Sequence, residues 1–106
     1  MPSNICTVTI VNNTDPAQNI FIISIFGTFV YSDESTSVFG DQAPNLNLAA
    51  GDRRPYSSAP GKYVTRFVAY ITATDRTTGE ERILQAQKAA HPGNFLRGEF
   101  IFGVQV

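Results

Sequence analysis

Tryptophan is absent from this 106-residue chain, and cysteine, histidine and methionine occur once each. A single cysteine, Cys6, excludes an internal disulfide and with it the stapled small secreted scaffold. One Cys and one His do not make a structural zinc site, which needs three or four such ligands. They leave Ser–His–Asp or Cys–His chemistry dependent on His91 alone, which sits before Pro92-Gly93 in turn-forming sequence. Cys6 lies between Ile5 and Thr7-Val8 with no basic neighbour, so it reads as a small buried hydrophobe and not as a reactive thiol. Gly27, Gly40 and Gly51 are too far apart for a phosphate-binding loop. Asp33, Glu34 and Asp41 lack the alternating spacing of a calcium loop. These absences predict a protein with no catalytic residues, no metal and no cofactor.

Charge is also scarce: 16% of residues carry it, and the net charge is −1. No apolar run approaches the ~18 residues of a membrane-spanning helix; the longest, Ile20 to Phe26, is interrupted by Ser24. The start, Met1-Pro2-Ser3-Asn4, lacks the basic and apolar regions of a signal peptide. The expectation is a cytoplasmic protein, or one released without a signal peptide. Asn12-Asn13-Thr14 fits the N-glycosylation sequon but reads as a turn at a strand end.

What the chain has instead is β-forming sequence. Residues 5–11 are β-branched and alternate, with Val8 and Ile10 opposite Thr7 and Thr9. Asn19 to Tyr31 is a long β-rich stretch with a bend or bulge expected at Gly27. Short strands are expected at Val38-Phe39 and at Leu46 to Ala50. Tyr63 to Thr74 places Tyr63, Phe67, Ala69, Ile71 and Ala73 on one face and Lys62, Arg66, Tyr70, Thr72 and Thr74 on the other. Asp75-Arg-Thr-Thr-Gly79 reads as a hairpin loop. Residues 80–90 admit two readings. Thr78 with Glu81 resembles a helix capping box and His91-Pro92-Gly93 a helix stop, whereas the hairpin requires a strand there, which we prefer. Phe100, Phe102, Val104 and Val106 share one face of a last strand. The pattern predicts a single all-β domain over 1–106, an antiparallel β-sandwich or partly open barrel of six to eight short strands.

Function is read from what remains. Residues 32–61 mix Ser, Asp, Asn, Gly and Pro with a few rings. Asp41, Asn45, Asn47 and Arg53 supply carboxylate, amide and guanidinium groups and Tyr56 a ring face, the chemistry that recognises a carbohydrate. A non-catalytic, lectin-like binding module is therefore the leading expectation. The opening strand, Val11-Asn12-Asn13 and the apolar strand after it resemble aegerolysins, small leaderless β-sandwich proteins that bind membrane lipids. The likeness covers about the first quarter of the chain, and that family is rich in Trp where this chain has none. What it implies is an alternative lipid-binding role.

All five charges in residues 1–52 are acidic, whereas residues 53–106 hold all eight basic residues and four acids. Arg and Tyr interleave in the second half, which suits single-stranded nucleic acid, but a sequence pI near 5.7 opposes it. Lastly, strict alternation along 20–26 puts Phe21, Ile23 and Ile25 on one face and Ile20, Ile22 and Phe26 on the other. Two apolar faces on one strand predict that Ile20, Ile22 and Phe26 form the interface of a homo-oligomer, with a structural self-assembling subunit as a further alternative.

Overall fold

The computed structural model describes residues 4–106; Met1, Pro2 and Ser3, most of the amino-terminal stretch read above for a leader, lie outside them. Among the described residues the chain forms seven strands: β1 Cys6–Asn12, β2 Ile20–Tyr31, β3 Thr36–Gln42, β4 Arg53–Ser57, β5 Val64–Asp75, β6 Glu81–Ala89 and β7 Gly98–Val104. A one-turn 3-10 helix, Pro16–Gln18, capped by the Asp15 carboxylate, joins β1 to β2. The strands make two sheets, ordered β4-β1-β7 and β3-β2-β5-β6. They face one another as a sandwich, not as a barrel. Every pairing is antiparallel except β1 with β7, the first and last strands, which run parallel. Within residues 80–90 the segment Glu81–Ala89 is strand, and none of it is helix. Nine consecutive pairings tie β6 to β5, and the long-range sheet contact outweighs the helix propensity of Leu84-Gln85-Ala86.

The core lies between the sheets. Val8, Ile10 and Val104 of the three-stranded sheet meet Ile22, Ile25, Phe29, Phe67, Ala69 and Ile71 of the four-stranded sheet. Leu46 and Leu48 are buried at one end, but the stretch from Leu46 to Ala50 forms no strand; Leu48 makes one isolated bridge to Ile22.

Two irregularities correct the alternation read from sequence. Between Ile22 and Ser24 the register of β2 against β5 slips, so Ile23 is the extra residue of a bulge. Before it Ile20 and Ile22 point inward; after it the inward set is Ile25, Gly27, Phe29 and Tyr31. A bulge exchanges the two faces of a strand. Ile20 and Ile22 are consequently core residues and cannot form the expected oligomer interface; of the three only Phe26 stands outside. The second slip, opposite Val30 and Tyr31, does the same near the start of β5. It buries Val64 and turns Tyr63 outward, against the sequence expectation.

The β5–β6 hairpin closes through Gly79, whose N–H donates to the Asp75 carbonyl at 2.7 Å and whose φ is +80°. Nothing lies near the position a Cβ would take. Gly79→Val is therefore expected to cost only the left-handed backbone strain, about 1–2 kcal/mol, read as a shift in the urea midpoint at constant m-value.

Candidate functional site

The sequence-predicted site residues do not converge. Asp41, on the inner side of β3, accepts hydrogen bonds from Tyr56 Oη at 2.8 Å and Arg54 Nη1 at 3.1 Å, both from β4. Phe39 stacks against Tyr56 with centroids 5.2 Å apart. This cluster joins the edge of one sheet to the edge of the other, and it is half-buried. Arg53 projects from the opposite face of β4. Asn47 accepts a hydrogen bond from Arg76 on the β5–β6 loop, and Asn45 is exposed in the loop after β3. The grouping thus keeps Asp41 and Tyr56, adds Arg54, and loses Arg53, Asn45 and Asn47. Arg54 was legible in principle: on a strand it shares a face with Tyr56 two residues on, and Arg53 cannot.

The clasp depends on a close approach one strand further in. A Cβ on Gly27 would lie 2.1 Å from the Phe39 ring, so the glycine opens the space in which Phe39 packs against Phe29 and Tyr56. Burial first, and then the Asp41 carboxylate beside it, hold the Tyr56 hydroxyl well above the usual phenol range. Burial alone pushes the Cys6 thiol from 9.0 up to about 11, which makes it a poor nucleophile at neutral pH. His91 is exposed in its loop, and among the described residues no group of three or more His, Cys, Asp or Glu could hold a metal. For both Cys6 and Tyr56 the folded state holds the proton more tightly than the unfolded chain. The Cys6 contribution to stability is whole below pH 9 and is lost as pH rises through about 11, and the Tyr56 contribution is lost higher still. We expect stability to fall across that range, and a Cys6→Ala, Tyr56→Phe double variant to show a flatter alkaline limb in urea titrations.

A different surface has the makings of a site. The outer face of the four-stranded sheet is assembled from alternate residues of four strands, and the register fixes its rows. Gln42, Ser24, Thr72 and Ile83 lie side by side, then Gly40, Phe26, Tyr70 and Gln85, then Val38, Thr28, Val68 and Gln87, then Thr36, Val30, Arg66 and Ala89. Phe26 and Tyr70 are direct cross-strand neighbours, 58% and 46% exposed, and Val38 and Ile83 are 70% and 72% exposed. Gly40, the residue opposite Phe26 on β3, carries no side chain. Among these sixteen residues Arg66 carries the only charge. Two shallow depressions mark the face: one of about 670 Å³ around Thr28, Val30, Arg66 and Gln87, and one of about 370 Å³ around Ser24, Phe26, Val38 and Gln42.

The basic side chains of the second half are mostly engaged elsewhere. Arg54, Lys62 and Arg82 pair with Asp41, Asp33 and Glu80, and Arg76 and Lys88 lie over the rings of Phe21 and Phe100. Two of the three ion pairs join an acid of the first half to a base of the second, so the charge asymmetry along the chain is partly neutralised in space. No family model, curated protein or solved structure matches the chain, so its likeness to aegerolysins stays a likeness of strand patterning.

Proposed function

We propose that the protein is a non-catalytic binding module and that the outer face of the four-stranded sheet receives a neutral carbohydrate chain. The observation that carries this reading is the Phe26–Tyr70 pair, two adjacent exposed rings on a nearly uncharged sheet. Aromatic faces present a flat apolar surface with a negative potential, which suits the C–H-bearing faces of a pyranose. Around the rings stand the amides of Gln42, Gln85 and Gln87 and the hydroxyls of Ser24, Thr28 and Thr72. They are donors and acceptors that match sugar hydroxyls without asking for a charge. The site expected in residues 32–61 moves to this face, to which that segment contributes Thr36, Val38, Gly40 and Gln42.

Affinity electrophoresis against a panel of neutral soluble polysaccharides tests the reading. Retardation by at least one of them is expected. Phe26→Ala and Tyr70→Ala should each weaken it roughly tenfold, equivalent to ~1.4 kcal/mol, with little change in melting temperature because both rings are exposed. Binding to none of the panel, or binding indifferent to both variants, would reject it.

The exposure of Val38 and Ile83 favours a second reading, a lipid surface. Arg66 alone offers little attraction to anionic headgroups, so this reading concerns zwitterionic membranes. Pelleting with phosphatidylcholine vesicles, lost in a Val38→Asp, Ile83→Asp variant, would select it over the carbohydrate.

A further inference from the structure

Each sheet of the sandwich ends in two edges, and the four edge strands differ in how well they could accept another strand. β4 is five residues long with Pro55 at its centre, and proline removes a ladder donor. β7 starts at Gly98 with φ +86° and carries Gly103. β3 is distorted at Gly40, with φ +143°. β6 alone is long and regular: nine residues, Glu81–Ala89, with neither glycine nor proline and no register slip against β5. It is also the fourth strand of a sheet that faces one of three, so only Ala86 is buried and Leu84 half-buried, and the other seven residues are exposed. A long regular edge is a template for strand addition unless charge or geometry prevents it.

The charges on β6 do not prevent pairing; they select one register of it. Two copies related by a two-fold axis normal to the sheet pair β6 antiparallel and keep both outer faces on the same side. Opposed residues then share a face, so the axis must pass through a residue. With the axis at Gln85, Arg82 would face Lys88 of the second copy, a like-charge contact made twice. With the axis at Leu84, Glu80 faces Lys88 of the second copy, twice, and Arg82 faces Ala86. Ile83 then faces Gln85, and the two Leu84 side chains meet on the axis. Glu80 already accepts a hydrogen bond from Arg82 of its own chain at 3.0 Å, so in this register its carboxylate sits between two cations. The Lys88 ammonium, now 5.4 Å from the centre of the Phe100 ring, is exposed and free to turn to it.

We propose that the protein self-associates through β6 into a two-fold dimer centred on Leu84, with a continuous eight-stranded sheet. The occupant of the edge is a second copy of this chain. The interface shares Ile83 and Gln85 with the outer face but does not include the Phe26–Tyr70 pair, and it stands whether or not that face binds carbohydrate. Its consequence for that face is geometric. Two Phe26–Tyr70 pairs come to lie on the same side of one sheet, so a ligand presented as an extended surface could be held at two points, which raises avidity without any new contact.

Sedimentation equilibrium of the full chain at low salt and submillimolar concentration, with no ligand present, tests the dimer. A monomer–dimer equilibrium is expected. Lys88→Glu and Glu80→Lys should each weaken it by about tenfold or more, since two attractive pairs become repulsive, and the Glu80→Lys, Lys88→Glu double variant should restore it. Both positions of change are at the surface, and circular dichroism verifies that the variants fold. A monomer at every concentration would overturn the proposal. So would a dimer that none of the variants weakens, or single variants whose effect the double variant does not reverse.

Discussion

Phe67→Ala is expected to lower the free energy of unfolding by about 3–5 kcal/mol. The ring is 1% exposed at the middle of β5 and has aromatic neighbours in both sheets. Phe29 of the same sheet lies 6.2 Å away, edge-on, and Phe100 and Phe102 of β7 lie at 5.6 and 5.8 Å. No backbone hydrogen bond of a ladder crosses between the two sheets, so these contacts carry much of the sheet-to-sheet attachment. Truncation leaves a cavity that two strands from different sheets would have to close, and twisted sheets about 10 Å apart relax poorly toward one another. Against the 5–15 kcal/mol that holds a typical domain folded, this is a large fraction. Urea unfolding measures it as a fall in the midpoint at unchanged slope. Phe67→Leu should cost less than half as much. A loss below ~1 kcal/mol for the alanine variant would show that the sheets are held together elsewhere, with Leu46 and Leu48 as the next candidates.

The same strand shows what could be read from the sequence and what could not. The alternation Phe67, Ala69, Ile71, Ala73 is a local pattern, and it carried the inward face of β5 correctly because no irregularity falls within it. The hairpin at 75–79 was legible too, since Gly79 marks a position that needs a positive φ. The bulges were not legible. Ile23 resembles its neighbours in every property that composition can register, and the slip at that point is set by how β2 pairs with β5. One unpaired residue exchanged the faces of everything before it, so the second apolar face of 20–26, and the oligomer interface built on it, dissolved into one face on each side of the bulge. The outer-face site was hidden for a related reason. Phe26, Val38, Tyr70 and Ile83 come from four strands and adjoin only through the register, so no window of sequence contains two of them close together. Arg54 was a smaller miss with the same root: parity along β4 separates it from Arg53.

Asn12→Ala is the second large effect expected, about 3 kcal/mol, and its cause is polar. Asn12 ends β1, fully buried, where the chain leaves one sheet for the other. Its Nδ2 donates to the carbonyls of Ile20 and Leu48, each at 2.9 Å, and its Oδ1 accepts from the Thr14 N–H at 3.1 Å and from the Thr14 hydroxyl. The backbone is engaged as well: its N–H donates to Asp52 O at 2.9 Å and its carbonyl accepts from Gly51 N–H at 2.7 Å. One side chain thus ties β1, the start of β2 and the segment before β4 together. Alanine removes both donors and the acceptor and leaves Thr14 and the two carbonyls short of partners in a site closed to water. A buried group so stranded costs about 1–3 kcal/mol, and Leu48 O keeps its bond from Ile22 N–H at 3.0 Å, which limits the total. Asn12→Asp separates this account from a simple loss of volume, because its shape is conserved while its donors are lost. An ionised carboxylate would face two carbonyl oxygens, so its folded pKa must rise above the ordinary ~3.9. A raised pKa means stability present below that value and lost as pH increases, so the Asp variant should approach the wild type in acid and diverge from it toward neutrality. The same Nδ2 is the atom that an N-linked glycan on the Asn12-Asn13-Thr14 sequon would occupy. A sugar there would replace a hydrogen that bonds a buried carbonyl, so protein expressed through a secretory pathway should contain no folded fraction glycosylated at Asn12. Urea titrations of the two variants between acid and neutral pH, with mass spectrometry of the folded secreted fraction, check each step. An Asp variant as stable as the wild type at neutral pH, or a folded glycoform at Asn12, would contradict it.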